Sequence, residues 1–328
     1  MRSRLRFAIA LGSVIVAGAA IAGLGERTFA LFSGQTSNSS PGLSAETDWT
    51  PPDASAAVVA KTAGGDGGYI RQGGTYYAYA NVADGGNPPS GVASVSADAG
   101  LGPVTLSSAG GPWTVEGFSY NYRSASQTLP AGTAAGTYPF TVSSTDSDTP
   151  ANSQTQGGFS VVVDNTGASG SDVQTANGGG TVGRPEPGDT VTFTYSEPIE
   201  RISVLPGWTS GTANVVVRIN NDGAGDRLQV WNSTNTTQLL LTNGTGLTLG
   251  RTDYVSANRT FGATGTRSTM VRSGNSITIT LGTQSGAGTT AAGNGTMTWT
   301  PSASATDRAG NPTSTTAVPE PGAADKEF

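Results

Sequence analysis

"GDTVTFTYSEPIE", Gly188 to Glu200, decides the fold. Within it Val191, Phe193 and Tyr195 alternate with Thr192 and Thr194. Successive side chains on a β-strand point to opposite faces, so this spacing puts three apolar groups on one face and two hydroxyls on the other. A helix would need its apolar residues three and four apart. β-Branched threonine suits the wet face of a pleated strand. Gly188-Asp189 leads the chain in, and Pro198, which has no N–H for a ladder, marks the strand end.

The same period of two recurs along the chain. Ile277, Ile279 and Leu281 alternate with Thr278 and Thr280, and Met297 and Trp299 sit between threonines. Earlier, Phe118, Tyr120 and Tyr122 follow the pattern, as do Tyr138, Phe140 and Val142. Gly, Asn or Pro interrupts the runs every ten or so residues, and no stretch beyond residue 30 carries a helical period. Short alternating strands with such breaks predict antiparallel sandwiches. Composition agrees. Only 12% of residues are charged and 48 are glycine, which disfavours long solvated helices. The regularly spaced aliphatic and aromatic residues separate the chain from a disordered tract.

The strand plan is written twice. "DWTPPDAS" (48–55) and "DNTGASGS" (164–171) both open with Asp-x-Thr, 116 residues apart. Gly73-Gly74-Thr75 leads into Tyr76 to Tyr79 as Gly188-Asp189-Thr190 leads into Val191 to Tyr195. Thr145-Asp146 with Asn152 is matched by Thr306-Asp307 with Asn311. On this plan Tyr138–Thr145 and Phe159–Val163 are the last two strands of the first copy. Met297–Thr306 is the penultimate strand of the second, and "DRAGN" (307–311) is its hairpin connection. Asp hydrogen-bonds backbone two residues on, and Gly and Asn tolerate positive φ, so "SATDRAGN" (304–311) reads as a turn.

"FTYSEPIE" followed far downstream by "ATDRAGNP", with "FSVVVDNT" between the copies, resembles the bacterial immunoglobulin-like repeat domains of exported surface proteins. The resemblance covers Asp48 to Val318. It implies an all-β fold of two tandem immunoglobulin-like antiparallel β-sandwich domains, residues 48–165 and 166–318. The second is enlarged, about 150 residues against the roughly 100 of such a domain. Its extra length falls around Asn220 to Thr269 and is expected to hold added strands or long loops. The tail, 319–328, reads as disordered.

The first 30 residues carry an address. Arg2, Arg4 and Arg6 precede an apolar run from Phe7 to Leu24, and small residues at Thr28 and Ala30 flank a cleavage position. The layout is that of a secretory signal peptide, with a retained membrane anchor helix as the alternative. A polar linker, 31–47, follows. "TFALFSGQTSNSSPGLSA" resembles the start of exported proteins of the biofilm-fibre and camelysin type. The expected location is extracellular or at the cell surface, reached by the Sec route.

Two absences limit the chemistry. There is no Cys and no His, which removes thiolate and imidazole zinc sites and His-dependent nucleophilic catalysis. The net charge is −6, and the basic residues are scattered singly, so nucleic acid is not an expected partner. Lys61 and Lys326 are the only lysines, which limits Lys–Asn cross-links to at most one in the folded region.

Candidate sites reduce to turns and packing. Asp222 and Asp226 in "NNDGAGDR" lack the further carboxylates of a calcium loop and read as a hairpin. Asp164 is placed to join Asp307 or Asp146 at the boundary of the copies, again as turn chemistry. Glu197, with Glu200 three residues on, offers carboxylates, but nothing pairs them across a cleft as a glycosidase requires. "GGDGG" (64–68) reads as a flexible loop. Trp49, Trp113, Trp208, Trp231 and Trp299 read as core rather than as a sugar platform. The sequence therefore yields no catalytic, cofactor-binding or metal residue and no cofactor, with calcium as the one ion worth testing. The expected role is structural or adhesive, without catalysis, toward a surface, matrix or glycan partner. A carbohydrate- or calcium-binding surface module and a matrix-fibre subunit are the alternatives.

Overall fold

A computed structural model describes residues 48–100 and 102–328. The signal or anchor segment, 1–30, and the polar linker, 31–47, lie outside the described residues. The described chain is all-β, with a single helical turn, α1 (Arg201–Val204). Its strands fall into two large sheets that share no strand and a small hairpin.

The first sheet runs β1 (Asp53–Lys61), β3 (Thr75–Ala83), β8 (Tyr122–Ser124), β5 (Pro103–Ser107), β4 (Val92–Asp98), β10 (Gly136–Asp146), β11 (Ser153–Val163) and β2 (Tyr69–Ile70), with β9 (Gln127–Thr128) beside β3. Every pairing is antiparallel except β11 with β2. The sheet curls until its ends meet. Gly68 N–H donates to Val59 of β1 at 2.7 Å, and Gly68 C=O accepts from Val162 of β11 at 2.8 Å. Gln156 of β11 also accepts a hydrogen bond from the Ala54 amide on β1.

The second sheet runs β12 (Gly170–Ala176), β13 (Thr190–Tyr195), β19 (Ser276–Thr280), β18 (Ser268–Ser273), β14 (Thr212–Asn220), β15 (Arg227–Asn232), β16 (Leu247–Thr248), β20 (Thr298–Trp299) and β21 (Val318–Pro319), with β17 (Arg259–Phe261) beside β14. The stretch Asn220 to Thr269 holds β15, β16 and β17, joined by long turns.

Each half buries its own core. One cluster draws only on residues 54–163, around Val95, Leu129, Phe140 and Val161. The other draws only on residues 168–328. The alternation in the opening stretch is realised there: Val191, Phe193 and Tyr195 are buried, and Trp299 packs on Phe193 at 5.2 Å and edge-on to Tyr195 at 4.8 Å. On the opposite face Thr192 and Thr194 pair through hydroxyls with Thr278 at 3.1 Å and Ser276 at 3.0 Å. The first sheet repeats this at Ser143–Thr155 and Thr145–Ser153.

Three expectations need correction. Phe118, Tyr120 and Tyr122 do not share one strand. Phe118 and Tyr120 belong to a separate hairpin, β6 (Trp113–Val115) with β7 (Phe118–Tyr120), and Phe118 is 69% exposed. Asn121 interrupts the run because its side-chain amide takes the place of a neighbouring strand, accepting from Val82 N–H at 2.9 Å and donating to Val82 C=O at 2.7 Å. Met297–Thr306 is not a long strand: only Thr298–Trp299 forms a strand, after which Pro301, lacking an N–H, leads into turns, and Thr306 makes a lone bridge to Pro312. The tail expected to be disordered is packed. Val318–Pro319 pairs with Trp299–Thr298, Asp325 bridges Gly295, and Phe328 is buried edge-on against Tyr254 at 5.7 Å. A Pro- and Gly-rich composition concealed one aromatic anchor.

Candidate functional site

The residues repeated between the copies make the same hydrogen bonds twice. Asp48 Oδ1 accepts from Thr50 N–H at 2.9 Å, and Asp164 Oδ1 accepts from Thr166 N–H at 3.0 Å. Asp146 takes the Asn152 backbone N–H at 2.8 Å and its side-chain amide at 2.7 Å; Asp307 takes the same two groups of Asn311 at 2.9 and 2.8 Å. Each Asn then donates to the carbonyl of the opening aspartate, Asn152 to Asp48 at 3.1 Å and Asn311 to Asp164 at 2.9 Å. Asp307 is wholly buried and also accepts Gly310 N–H at 2.7 Å, with Gly310 at φ +94°. "SATDRAGN" is thus a turn whose carboxylate replaces lost backbone partners.

The copies differ in the third acid. Asp84, just past β3, is satisfied by its own loop, accepting from Gly91 N–H at 2.6 Å and Gly86 N–H at 3.1 Å. Asp48 is likewise held below the usual carboxylate range by the Thr50 and Ser90 amides. In the second copy the acid after β13 is Glu197, two residues past the strand, whose carboxylate meets those of Asp164 and Asp307, with oxygens within 4.8 Å of one another. Burial, followed by the neighbouring Asp164 carboxyl and the charge of Asp307, pushes Glu197 up to about 7, and Arg308 opposes the shift. Burial also raises Asp307. Three carboxylates so close repel one another unless a proton or a cation joins them. An all-oxygen, negative donor set suits a hard cation of the calcium type. Asp164 Oδ1 and both Asp307 oxygens already accept hydrogen bonds, yet each carboxylate oxygen keeps a second lone pair.

Glu200 does not join Glu197. After Pro198 the chain enters α1, and Glu200 turns into a buried ionic network across the joint of the two halves. Its Oε2 accepts from Lys61 Nζ at 3.0 Å and from Asp66 N–H at 2.8 Å. The Asp66 carboxylate receives Arg272 at 2.8 Å and Arg201 at 3.4 Å. Lys61 Nζ also donates to the carbonyls of Asp66, at 3.1 Å, and Arg308. The Arg308 guanidinium lies over the Tyr69 ring at 3.7 Å. "GGDGG" is therefore not a free loop. Asp66 is buried at the centre of the network, and a Cβ on Gly65 would fall 2.3 Å from a Glu200 oxygen. Beside the network lies a cleft of about 620 Å³, lined by Lys61, Asp66, Tyr79, Glu116, Glu200 and Arg201 among others.

The remaining candidates have structural partners. Asp222 pairs with Arg227 at 2.7 Å within the β14–β15 hairpin, and Asp226 accepts the Tyr254 and Val255 amides at 2.9 and 3.0 Å, tying that hairpin to a later loop. Trp208 and Trp299 are core residues. The other three are not core as expected: Trp231 and Trp113 are half-buried under Arg218 and Arg123, at 3.5 and 4.6 Å, and Trp49 is 47% exposed. The sequence offered Asp164 either Asp307 or Asp146; the structure brings it to Asp307, leaves Asp146 beside Asn152 in the first copy, and adds Glu197 as a third member that the sequence reading missed. The available signal was weak: an acid follows the corresponding strand in both copies, Asp84 directly after β3 and Glu197 two residues after β13. No family model matches the chain, and no curated protein is significantly similar to it.

Proposed function

We propose that the chain is an exported or cell-surface structural or adhesive protein without catalytic activity. In this reading residues 48–165 and 166–318 are immunoglobulin-like domains in tandem, and calcium held by Asp164, Glu197 and Asp307 stiffens their joint. The observation that carries the reading is the joint itself. Lys61 and Asp66 of the first half meet Glu200, Arg201, Arg272 and the Arg308 carbonyl of the second in a network with little exposure, and the three-carboxylate cluster lies where the second half begins. Buried charge spent on holding two sandwiches in one orientation suits a spacer that must transmit force or present a surface. The recurrence of the Asp-x-Thr and Asp–Asn bonds supports the tandem plan. Export is supported by the arginines and apolar run of the first 30 residues.

Thermal unfolding of the mature chain with and without calcium tests this. Calcium at 100 times its dissociation constant is expected to add about 2.7 kcal/mol by mass action, and Glu197→Gln is expected to remove most of that gain. A shift no larger than that given by sodium chloride of equal ionic strength would remove calcium from the proposal. Recovery of the unprocessed chain in the cytoplasm on cell fractionation would remove export.

A further inference from the structure

We infer that Glu320, Asp325 and Glu327 form a second binding site for a hard divalent cation of the calcium class, at the end of the second sandwich away from the joint. The place follows from the register of β12 on β13. Gly170 opposes Tyr195 at the joint end, whereas Thr175, which holds Glu327, opposes Val191 at the far end. The three carboxylates offer oxygens within 4.8 Å of one another. Two oxygens bound to one calcium at about 2.3 to 2.6 Å can be no more than about 5 Å apart, so the spacing is compatible with one ion shared by all three after a small closing of the side chains.

The independent observation is Glu327. The residue is fully buried, and its Oε2 accepts the Thr175 hydroxyl at 2.6 Å. Its Oε1 is buried and accepts nothing among the described residues. An unpartnered buried carboxylate oxygen is costly, and two more acids beside it raise the cost. Among the described residues none of the three acids is in an ion pair: Arg251 is engaged by Asp253 at 2.7 Å, and Lys326, between Asp325 and Glu327 in sequence, bridges to neither. The frame that holds the acids is rigid. Glu320 Oε2 accepts Met297 N–H at 3.3 Å, Asp325 exchanges backbone bonds with Gly295, and Glu327 N–H donates to the Tyr254 hydroxyl at 2.8 Å. Burial, with Glu320 and Asp325 adding to it, pushes Glu327 up to about 8. A proton is the alternative way to relieve the repulsion, and a cation would displace it. Calcium fits better than magnesium, which keeps much of its water and seldom sits in an all-protein cage.

The test uses the mature chain with the joint cluster silenced by Asp164→Asn and Glu197→Gln, so that its outcome is separate from that of the joint. Terbium(III) is titrated in and its luminescence is excited through tyrosine, with Tyr254 adjacent to the site. One ion per chain is expected, displaced by calcium and at least tenfold less readily by magnesium. Adding Asp325→Asn, a change at an exposed side chain, is expected to weaken binding at least tenfold with an unchanged circular dichroism spectrum, and adding Glu327→Gln to abolish it. Absence of sensitised emission, or equal affinity in the Asp325→Asn and parent chains, would overturn the assignment and leave a proton in its place.

Discussion

Lys61→Met removes one charge from the joint and leaves the chain length of the side chain nearly unchanged. The Lys61 and Glu200 side chains are 10% and 3% exposed, so water does little to replace the lost partner. Three acceptors lose a donor at once: Glu200 Oε2 and the carbonyls of Asp66 and Arg308. Glu200 keeps only the Asp66 amide at 2.8 Å, and its Oε1 already has no partner. Arg201 and Arg272 cannot compensate without abandoning Asp66. Removing one member of a buried pair costs about 3–5 kcal/mol, mostly as the uncompensated charge left behind. Against a typical stability of about 5–15 kcal/mol that loss is large. Replacing both partners, Lys61→Met with Glu200→Gln, removes the stranded charge and should recover about 2 kcal/mol or more, since neutral replacements of buried pairs are often well tolerated. Urea unfolding of the wild type, both single variants and the double variant, followed by circular dichroism and tryptophan fluorescence, gives the cycle. The single variant should also separate the unfolding of the two halves, because Lys61 and Glu200 belong to different halves, each with its own core. A loss below about 1 kcal/mol, the range of exposed pairs, together with no recovery in the double variant, would refute the view that this network fixes the joint.

Asp146→Ala and Asp307→Ala each remove a carboxylate that accepts three hydrogen bonds from its own turn, and each should cost about 1–3 kcal/mol in urea unfolding; a neutral outcome at either would break the equivalence of the two turns. With calcium chelated, the Glu197 carboxyl is raised to about 7 in the folded chain against an ordinary value of 4.5. The folded state then holds the proton more tightly, so stability through this group is highest in acid and falls as pH rises from 4.5 through 7. Glu197→Gln should flatten that part of the pH profile, and an unchanged slope would show that the carboxylates are not in contact. Phe328→Ala should cost about 3–5 kcal/mol, as for other buried phenylalanines; a loss within error in thermal unfolding would return the last residues to the unstructured tail expected from composition.

Much of the all-β plan was legible because period-two alternation is a local signal. Val191, Phe193, Tyr195, Ile277 and Ile279 could be assigned to a buried face from their neighbours alone. The Asp-x-Thr and Asp–Asn pairs were legible as turns because their bonds reach only a few residues, and as equivalent because they occur twice. Glu197 was not legible as the partner of Asp164 and Asp307, since the three come from distant segments that only the folded sheet brings together. Glu200 was misleading for the opposite reason. Three residues from Glu197 in sequence, it is carried by α1 to another cluster, whose partners Lys61 and Asp66 belong to the other half. Asn121 and Phe328 are cases where one side chain overrides the segment around it. An amide standing in for a strand stops β7, and one buried ring fixes a tail whose composition speaks for disorder.

Gly68 has a consequence for assembly. An open sheet ends in a row of free amides and carbonyls that can recruit a strand from another molecule. In the first sheet that row is occupied where β1 meets β2 and β11, by the two backbone bonds of Gly68 and by the Gln156 side chain. A positive φ of 79° lets this one residue face both ways, to Val59 on one side and to Val162 on the other. Growth of filaments by adding strands at this seam would first have to unpick it. An association that leaves the seam intact would have to use other surfaces, and contacts of that kind can be made and released without unfolding either partner.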